Sequence, residues 1–355
     1  MSPCCAVVPP YLLQRLAQAR EPQQSRFAAS VAEAATRTLA QDETRRSRRA
    51  SAAGPKPPGG GGLRRTIADA GATRDLPGRP VRTEGASATG DPAADEAYDG
   101  LGDTYALFDR AYGRSSLDGQ GLALRASVHY DRRYDNAFWD GEQMVFGDGD
   151  GEVFDRFTRS VTVIGHELTH GFTQSTAALV YSGQSGALNE SVSDVFGVLV
   201  EQHARGESAD QASWLVGEGL FLPAVQGRAL RDMAAPGTAY DDDVLGRDPQ
   251  PATMAAYVHT PDDYGGVHLN SGIPNHAFAL AAVSLGGNAW ERAGQVWFDV
   301  MTGGTLAPDV DLAEFATATV AAGGSRYGQG SDVALAVRSA WTQVGVDPGS
   351  ATEKG

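Results

Sequence analysis

Two histidines set four residues apart carry the clearest chemistry in the sequence. In the segment His-Glu-Leu-Thr-His, helical spacing places His166 and His170 on one face, with the carboxylate of Glu167 beside the first. This pattern is typical of two zinc ligands and a general base. The alternative interpretation is a helix that carries two histidines on its surface and binds no metal. However, Leu168 and Phe172 belong to an apolar run that predicts a buried helix, and a buried imidazole needs a polar partner.

A third ligand is expected on a neighbouring element, because catalytic zinc usually takes three protein ligands. Glu190 follows His170 by twenty residues, and we expect it to open a second apolar helix after a strand and a turn. Asp194 then lies one turn further along the same face, where it can accept the free ring N–H of one ligating histidine, and Asn189 can serve the other. Taken alone, Glu190 also fits an ordinary helix N-terminus, where acidic residues are favoured.

The composition excludes several classes of protein. The 355 residues are 41% hydrophobic, enough for two or three domains, and the net charge of -15 does not suit a surface that follows nucleic-acid phosphates. No apolar run of roughly 18 residues predicts a membrane span, and we see no Sec signal in the first residues. The two cysteines, Cys4 and Cys5, are neighbours, so packing or a metal must stabilise the chain.

The elements that must position these residues change character along the chain. Residues 63–157 are rich in Gly and Asp and contain short alternating runs, which predict strands and turns. Within them, residues 147–151 form a turn cluster that lacks the glutamate of an EF-hand calcium loop. After Ser160 the apolar period becomes helical, and the predicted helices are Val161–Ser175, Asn189–Ala204, Ile273–Leu285, Trp290–Met301, Leu312–Ala322 and Val333–Val344.

The first 62 residues differ from the rest in charge. They hold nine Lys and Arg but four Asp and Glu, a balance of +5 in a chain of net charge -15. The run Gly54–Gly62 predicts an exposed linker, and the basic run Arg45–Arg49 before it offers a protease a place to cut. A disordered tail is one interpretation. Apolar residues at helical spacing in Tyr11–Ala17 and Phe27–Leu39 favour instead a small helical module that awaits a partner.

A set of longer motifs occurs in a fixed order along the chain: Asn136–Trp139, Gln143–Gly151, Gly165–Gly171, Leu179–Tyr181, Ala229–Met233 and Gly265–Gly272. Together they resemble the thermolysin family of zinc metalloendopeptidases over residues 63–346, and Val7–Leu13 is similar to the short propeptide of its protealysin-like branch. The resemblance implies an α+β fold: a β-rich domain that ends in the zinc-binding helix, a mainly α-helical domain, and an active-site cleft between them. It also implies a propeptide and linker over 1–61 and catalytic domains over 62–175 and 176–355.

The resemblance assigns roles to residues around the zinc ligands. Glu167 would take a proton from water and pass it to the leaving amine. Tyr181 and His268 would donate hydrogen bonds to the developing oxyanion, and Asp263 would orient His268. Without the resemblance, Tyr181 is better interpreted as a core tyrosine and His268 as a loop histidine with its hydrogen bonds satisfied.

The resemblance also implies how substrate binds. A peptide would pair with an edge strand near Asn136 and Ala137, and Arg231 would donate to its carbonyl oxygen. An apolar pocket favours a bulky hydrophobic residue immediately after the scissile bond, with broad cleavage otherwise. The pocket residues are Phe154, Val163, Val216, Leu220 and Leu230.

The family's calcium sites are only partly matched, so calcium is not expected at them. Glu201 and Glu218 correspond to acidic ligands, but calcium needs six to eight oxygens. The positions that depart from the family are Thr162, Ser213, Leu215 and Arg228.

Two other functions fit the metal motif less well. An aminopeptidase with this metal pattern carries a Gly-x-Met-Glu-Asn motif, which the sequence lacks. A catalytically silent, zinc-stabilised binding protein would not need Glu167, Tyr181 and His268, which are all present. The resemblance implies a secreted enzyme, although no Sec signal is visible, and a cytoplasmic enzyme is the alternative.

The N-terminal segment is expected to inhibit the enzyme intramolecularly until it is removed near the linker. Its positive charge favours docking on the acidic remainder, and Pro9 and Pro10 suggest an extended chain. Val7–Leu13 would then lie extended in the substrate groove, with Leu12 or Leu13 near the apolar pocket. An alternative has Cys4 or Cys5 bind the zinc ion.

Overall fold

The computed structural model describes residues 6–19, 29–49 and 61–349. Cys4, Cys5 and most of the predicted linker Gly54–Gly62 lie outside the described residues, so zinc binding by a cysteine and cutting within the linker stay predictions. No helix in the described ranges is long and apolar enough to cross a membrane.

Five strands form a mixed sheet in the first half of residues 61–349. They are β1 (Arg65–Thr73), β2 (Arg79–Thr83), β3 (Leu124–Tyr130), β4 (Ala137–Trp139) and β5 (Met144–Phe146). Their spatial order is β2-β1-β3-β5-β4. β3 is parallel to β1 and β5, whereas β2 and β4 are antiparallel to their neighbours. The order leaves β4 at one edge, where an extended peptide can pair with it.

The prediction of only strands and turns over 63–157 is wrong, because a long helix, α3 (Pro92–Tyr112), lies within it. Asp91 caps this helix by accepting from the Ala93 N–H, and Gly113 ends it in the left-handed conformation. Its buried stripe consists largely of small residues, which add little to an apolar periodicity. The stripe is Ala93, Ala94, Ala97, Tyr98, Gly100, Leu101, Thr104, Leu107 and Phe108.

Two helices that pack closely, α4 (Val161–Ser175) and α5 (Gly183–Arg205), form the centre of the molecule. A Cβ atom on Gly165 would lie 3.0 Å from Gly197 Cα, so glycines permit this close approach. Two expectations are corrected here. No strand separates the helices over 176–182, and Glu190 lies in the third turn of α5 rather than at its start. The first turns of α5 read Gly-Gln-Ser-Gly, a segment without an apolar period.

The remainder of the described chain is mainly helical, as predicted. This part also contains one short helix, α6 (Asp263–Asn270), and two small hairpins. The first hairpin pairs β6 (Leu215–Val216) with β7 (Arg231–Asp232), and the second pairs β8 (Asp241–Asp242) with β9 (Gly246–Arg247). α6 contains a non-helical turn near its start, because Tyr264, Gly265 and Gly266 have positive φ. The longer helices are α7 (Gly272–Leu285), α8 (Ala293–Thr302), α9 (Leu312–Tyr327) and α10 (Asp332–Gln343).

The described residues before position 50 form two helices, α1 (Pro10–Gln18) and α2 (Ala29–Arg49), which pack on the remainder of the described chain. The expected extended run Val7–Leu13 is wrong beyond Pro9, because Pro10 takes the first position of α1, where its fixed φ suits a helix. Leu12 and Leu13 are buried on α1 and do not lie extended in the groove.

Candidate metal centre and substrate groove

Three side chains from α4 and α5 converge at one buried point. Ligand atoms of His166, His170 and Glu190 all lie within 4.8 Å of one another. The two Nε2 atoms are 3.2 Å apart, and Glu190 Oε2 lies 3.4 Å from Nε2 of His166. The side chains are at most 5% exposed. The α4–α5 contact therefore gathers two imidazoles and a carboxylate of the kind that zinc binds.

The other ring nitrogen of each histidine is held by α5. His166 Nδ1 lies 2.8 Å from Asp194 Oδ1, and His170 Nδ1 lies 2.9 Å from Asn189 Oδ1. Ser193 Oγ is also 3.1 Å from the His170 ring. These contacts leave both Nε2 atoms directed at the shared point, as metal-binding histidines require.

The charges around this point favour a cation. Although burial opposes ionisation, the rings of His268 and His166 hold the pKa of Glu190 well below its usual range. Its Oε2 atom is buried and has no hydrogen-bond partner among the described residues. Asp194 is buried too, and although burial would raise its pKa, Arg231 holds that pKa at about 2. An orphaned carboxylate oxygen beside two oriented imidazoles fits Zn²⁺.

Glu167 faces the same region without belonging to the ligand triad. Its Oε2 accepts the Trp139 backbone N–H at 2.9 Å, and its Oε1 is buried without a partner within the described part of the chain. Burial raises the pKa of Glu167 to about 8. The carboxylate is therefore placed between the edge strand β4 and the ligand triad.

Tyr181, His268 and Asp263 meet beside Glu190. Asp263 Oδ1 lies 2.8 Å from His268 Nδ1, and its Oδ2 accepts the His268 backbone N–H at 2.9 Å. The Tyr181 hydroxyl lies 3.4 Å from His268 Nε2 and donates to Glu190 Oε1. The structure thus brings together the two residues to which the resemblance assigned oxyanion binding, Tyr181 and His268, and the aspartate expected to orient His268.

The groove along β4 is filled by the start of the N-terminal segment. Ala6 forms an antiparallel bridge with Phe138, and the Val7 N–H donates to Ala137 O at 3.2 Å. Asn136 holds Val8 through both amide atoms, at 2.9 and 3.3 Å. The expected groove residues therefore bind backbone groups of this chain.

Arg231 connects the groove with the metal centre. Its Nη1 donates to the Val7 carbonyl oxygen at 3.0 Å, while Nε and Nη2 donate to the two oxygens of Asp194 at 2.8 Å. Asn275 from α7 donates to Asp194 Oδ2 at 2.8 Å. One carboxylate thus orients both a zinc-ligating histidine and the arginine of the groove.

The five predicted pocket residues are fully buried. Val216 pairs with Arg231 across the β6–β7 hairpin. A Cβ atom on Gly217 would lie 2.9 Å from Leu230 and 3.2 Å from Leu220, so both leucine side chains lie beside this glycine. The Gly217 N–H also donates to Thr162 at the start of α4, next to Val163. Phe154 lies against Phe221, with ring centroids 5.6 Å apart.

Sequence reasoning missed three contributors to the site. Ser193 could have been found, because it lies one turn after Asn189 on the face that carries Glu190. Asn275 lies 81 residues beyond the carboxylate it contacts, and no spacing connects the two. Asp42 of α2 accepts from Asn136 Nδ2 at 2.9 Å, a contact that depends on how the N-terminal segment docks.

Comparison with known proteins agrees with this geometry. The family models described as thermolysin metallopeptidase, catalytic domain, and thermolysin metallopeptidase, alpha-helical domain, match residues 69–174 and 177–346. An extracellular metalloprotease of Pectobacterium carotovorum is 46% identical over 97% of both chains. An extracellular minor metalloprotease of Serratia marcescens is 40% identical over 81% of this chain and 79% of its own. The solved precursor of protealysin, a metalloproteinase from Serratia proteamaculans, superposes with a TM-score of 0.86 at 50% identity, covering 96% of this chain and 99% of its own.

Proposed function

Because this chain belongs to the thermolysin family of metallopeptidases, we propose that its zinc endopeptidase activity resides at the α4–α5 centre. The enzyme is a zinc metalloendopeptidase that is made as a precursor. His166, His170 and Glu190 hold the metal. The observation that carries the proposal is the convergence of these three donors within 4.8 Å, beside a buried carboxylate that is not one of them.

Zinc, when bound here, polarises the scissile carbonyl and makes water a stronger nucleophile. Glu167 accepts the proton of the attacking water on Oε1, the oxygen without a hydrogen-bond partner among the described residues, and delivers a proton to the leaving amine. The Trp139 N–H on Oε2 fixes the orientation of the carboxylate during both transfers.

The carbonyl oxygen gains negative charge during attack, and two side chains stabilise it. His268, oriented by Asp263, donates from Nε2, and Tyr181 donates from its hydroxyl in place of its present contact with Glu190. Arg231 holds the next carbonyl along the peptide, and the apolar pocket beside it selects a bulky hydrophobic side chain after the cleaved bond.

The N-terminal segment inhibits the precursor by filling the groove. Inhibition is supported by the pairing of Ala6 and Val7 with β4, by the contact of Arg231 with Val7, and by the buried residues of α1. Cutting between the segment and β1 would release it and open the groove. We assign the mature enzyme to the extracellular space, as the names of its relatives suggest.

Calcium is not part of the proposal. Arg205 lies 2.8 Å from Glu201, and Arg228 lies 2.6 Å from Asp232, so arginines already neutralise carboxylates near the matching positions. Leu215 supplies no side-chain oxygen. A thermal scan should therefore show little change of Tm with millimolar calcium, and a rise of about ten degrees would overturn this view.

The activity is tested with an internally quenched peptide that carries Leu after its central bond, and a matched peptide with Asp there. The processed enzyme should cleave the first peptide much faster, lose activity with a zinc chelator, and regain it when zinc is returned. Activity that survives removal of zinc would contradict the proposal.

A further inference from the structure

The N-terminal segment lies on β4 with a defined direction and register. The Ala6–Phe138 bridge is antiparallel, and the Val7 N–H donates to Ala137 O. Ala6, Val7 and Val8 are each no more than 1% exposed. This is the geometry of a peptide added to a sheet edge, in which the backbone fixes which bond lies where.

Side chains fix the same register independently. Arg231 holds the Val7 carbonyl oxygen, and the Asn136 amide holds both the N–H and the carbonyl of Val8. Under the proposed function, Arg231 donates to the carbonyl oxygen of the residue that follows the scissile bond. Val7 occupies that position, so the bond presented for cleavage is Ala6–Val7.

The proposed base lies on the matching side of this bond. Trp139, which follows the Ala6 partner Phe138 along β4, donates its N–H to Glu167 Oε2. The Ala6–Val7 peptide therefore lies between the Arg231 contact on one side and the Glu167 contact on the other. A segment that only blocked the groove would not need a peptide bond placed between these two contacts.

We propose that Ala6–Val7 is a self-cleavage site of the precursor, separate from the cut that releases the whole N-terminal segment. The inference rests on the proposed function. Water adds its hydroxyl to the Ala6 carbonyl carbon, the Ala6 C–Val7 N bond breaks, and the Val7 nitrogen receives the proton that Glu167 carries. The products are an Ala6 carboxylate and a Val7 amine.

The clipped segment stays bound after this cut. Val7 and Val8 keep their contacts with Arg231 and Asn136, and α1 and α2 keep their own contacts with the catalytic part. The groove remains filled, so the clipped precursor remains inhibited. Cleavage at Ala6–Val7 is thus compatible with an inhibitory segment.

The test follows the intact mass of the full chain, expressed with zinc, during incubation. Wild-type precursor should acquire a new N-terminus at Val7, and Glu167→Ala precursor prepared in the same way should not. Val7→Asp should slow this cut about tenfold or more, because a carboxylate does not suit the apolar pocket, whereas Val7→Leu should preserve it.

The outcomes separate this inference from the proposed function. A chain that cleaves the quenched peptide after processing, yet keeps Ala6–Val7 intact at every time point, overturns the inference alone. Cutting at Val7–Val8, or trimming of the Glu167→Ala chain at the same rate, also overturns it. A chain that never cleaves the quenched peptide contradicts the proposed function instead.

Discussion

The metal centre and the substrate groove are neighbours, but each depends on a different kind of contact. At the metal centre, side chains on α4 and α5 meet side chains, as in the 2.8 Å contact of His166 with Asp194. Along the groove, β4 and Asn136 bind backbone atoms of residues 6–8. Side-chain contacts require particular residues, whereas a backbone contact accepts almost any extended peptide.

This difference explains how the same enzyme can keep its metal and exchange its groove occupant. Removing one buried charged partner leaves the other uncompensated, so the metal centre is expected to resist change. The groove contacts are hydrogen bonds that a substrate can replace one for one. Arg231 belongs to both regions, since it binds Asp194 and the Val7 carbonyl.

Asp194→Ala should have the largest effect, because it breaks the point at which both regions join. The substitution leaves Arg231 buried without its carboxylate, which costs about 3 to 5 kcal/mol of folding free energy. It also frees the His166 ring, which should weaken zinc binding about 10 to 100-fold. Urea unfolding and zinc titration of the purified chain measure the two effects.

Asp332→Ala is the matched control, because Asp332 pairs with Arg292 at the surface and is 72% exposed. Its effect on stability should stay below about 1 kcal/mol. Equal losses in the two variants, or unchanged zinc affinity after Asp194→Ala, would remove Asp194 from the role given to it.

Gly197→Ala should push α4 and α5 apart without replacing any ligand side chain. The added Cβ would lie 2.6 Å from Thr162 O and 3.1 Å from His166 N, both backbone atoms of α4. We expect a loss of about 1 to 3 kcal/mol in stability and weaker zinc binding. Gly330→Ala adds the same methyl group in open space, and a comparable loss there would show that packing is not the cause.

Asp42→Asn should weaken the binding of the N-terminal segment in the groove while leaving the metal centre intact. Asp42 is 1% exposed and accepts from Tyr134 OH at 2.6 Å and Asn136 Nδ2 at 2.9 Å. An amide cannot accept on both atoms, so the bound segment should lose about 1 to 3 kcal/mol. The precursor should therefore show a shorter lag before it cleaves the quenched peptide.

Glu43→Gln provides the control for charge, since Glu43 is the exposed neighbour of Asp42 and the substitution removes the same formal charge. It should leave the lag unchanged. If both variants shorten the lag equally, long-range attraction rather than the buried contact retains the segment.

A smaller effect is expected at His129 on β3. Its ring lies 2.9 Å from Asp148 and 2.7 Å from Asp91. The hydrogen bond with Asp148, aided by the one with Asp91, raises the pKa of His129 to about 9, although burial alone would lower it. Because the folded-state pKa is raised, the stabilisation is complete below about pH 6.5 and is lost as pH rises through about 9.

The check is the difference in Tm between Glu167→Ala chains with and without His129→Gln, measured at pH 6, 8 and 10. Since the pair is partly exposed, the difference should correspond to no more than about 1 to 2 kcal/mol at pH 6 and should shrink by pH 10. A difference that does not change with pH would contradict this reading.

The sequence was most informative where one helix carried both the chemistry and a strong pattern. The α4 bounds, Val161–Ser175, match the prediction because the helix is apolar on most sides and carries the ligand pair. α3 was not predicted, because its buried stripe of small residues gives only a weak apolar pattern. The start of α5 was predicted too late, because Gly-Gln-Ser-Gly has no apolar period, and Glu190 was therefore placed at the start of the helix.

Contacts between distant segments were beyond sequence reasoning. The occupant of the Arg231 contact is Val7 and not Leu12 or Leu13, because the chain turns into a helix at Pro10. Asn275 reaches Asp194 from another helix, and the Trp139 N–H that holds Glu167 is a backbone group that any residue would supply. Spacing along the chain carries no signal for such contacts.

The most direct test of the whole account is the zinc content and peptidase activity of Glu167→Ala beside Glu190→Ala. Glu167→Ala should retain about one zinc ion per chain and lose cleavage of the quenched peptide, because its carboxylate moves protons and is not a ligand. Glu190→Ala should lose both. If Glu167→Ala loses its zinc stoichiometrically, or keeps its activity, the separation of base and ligands described for this centre is wrong.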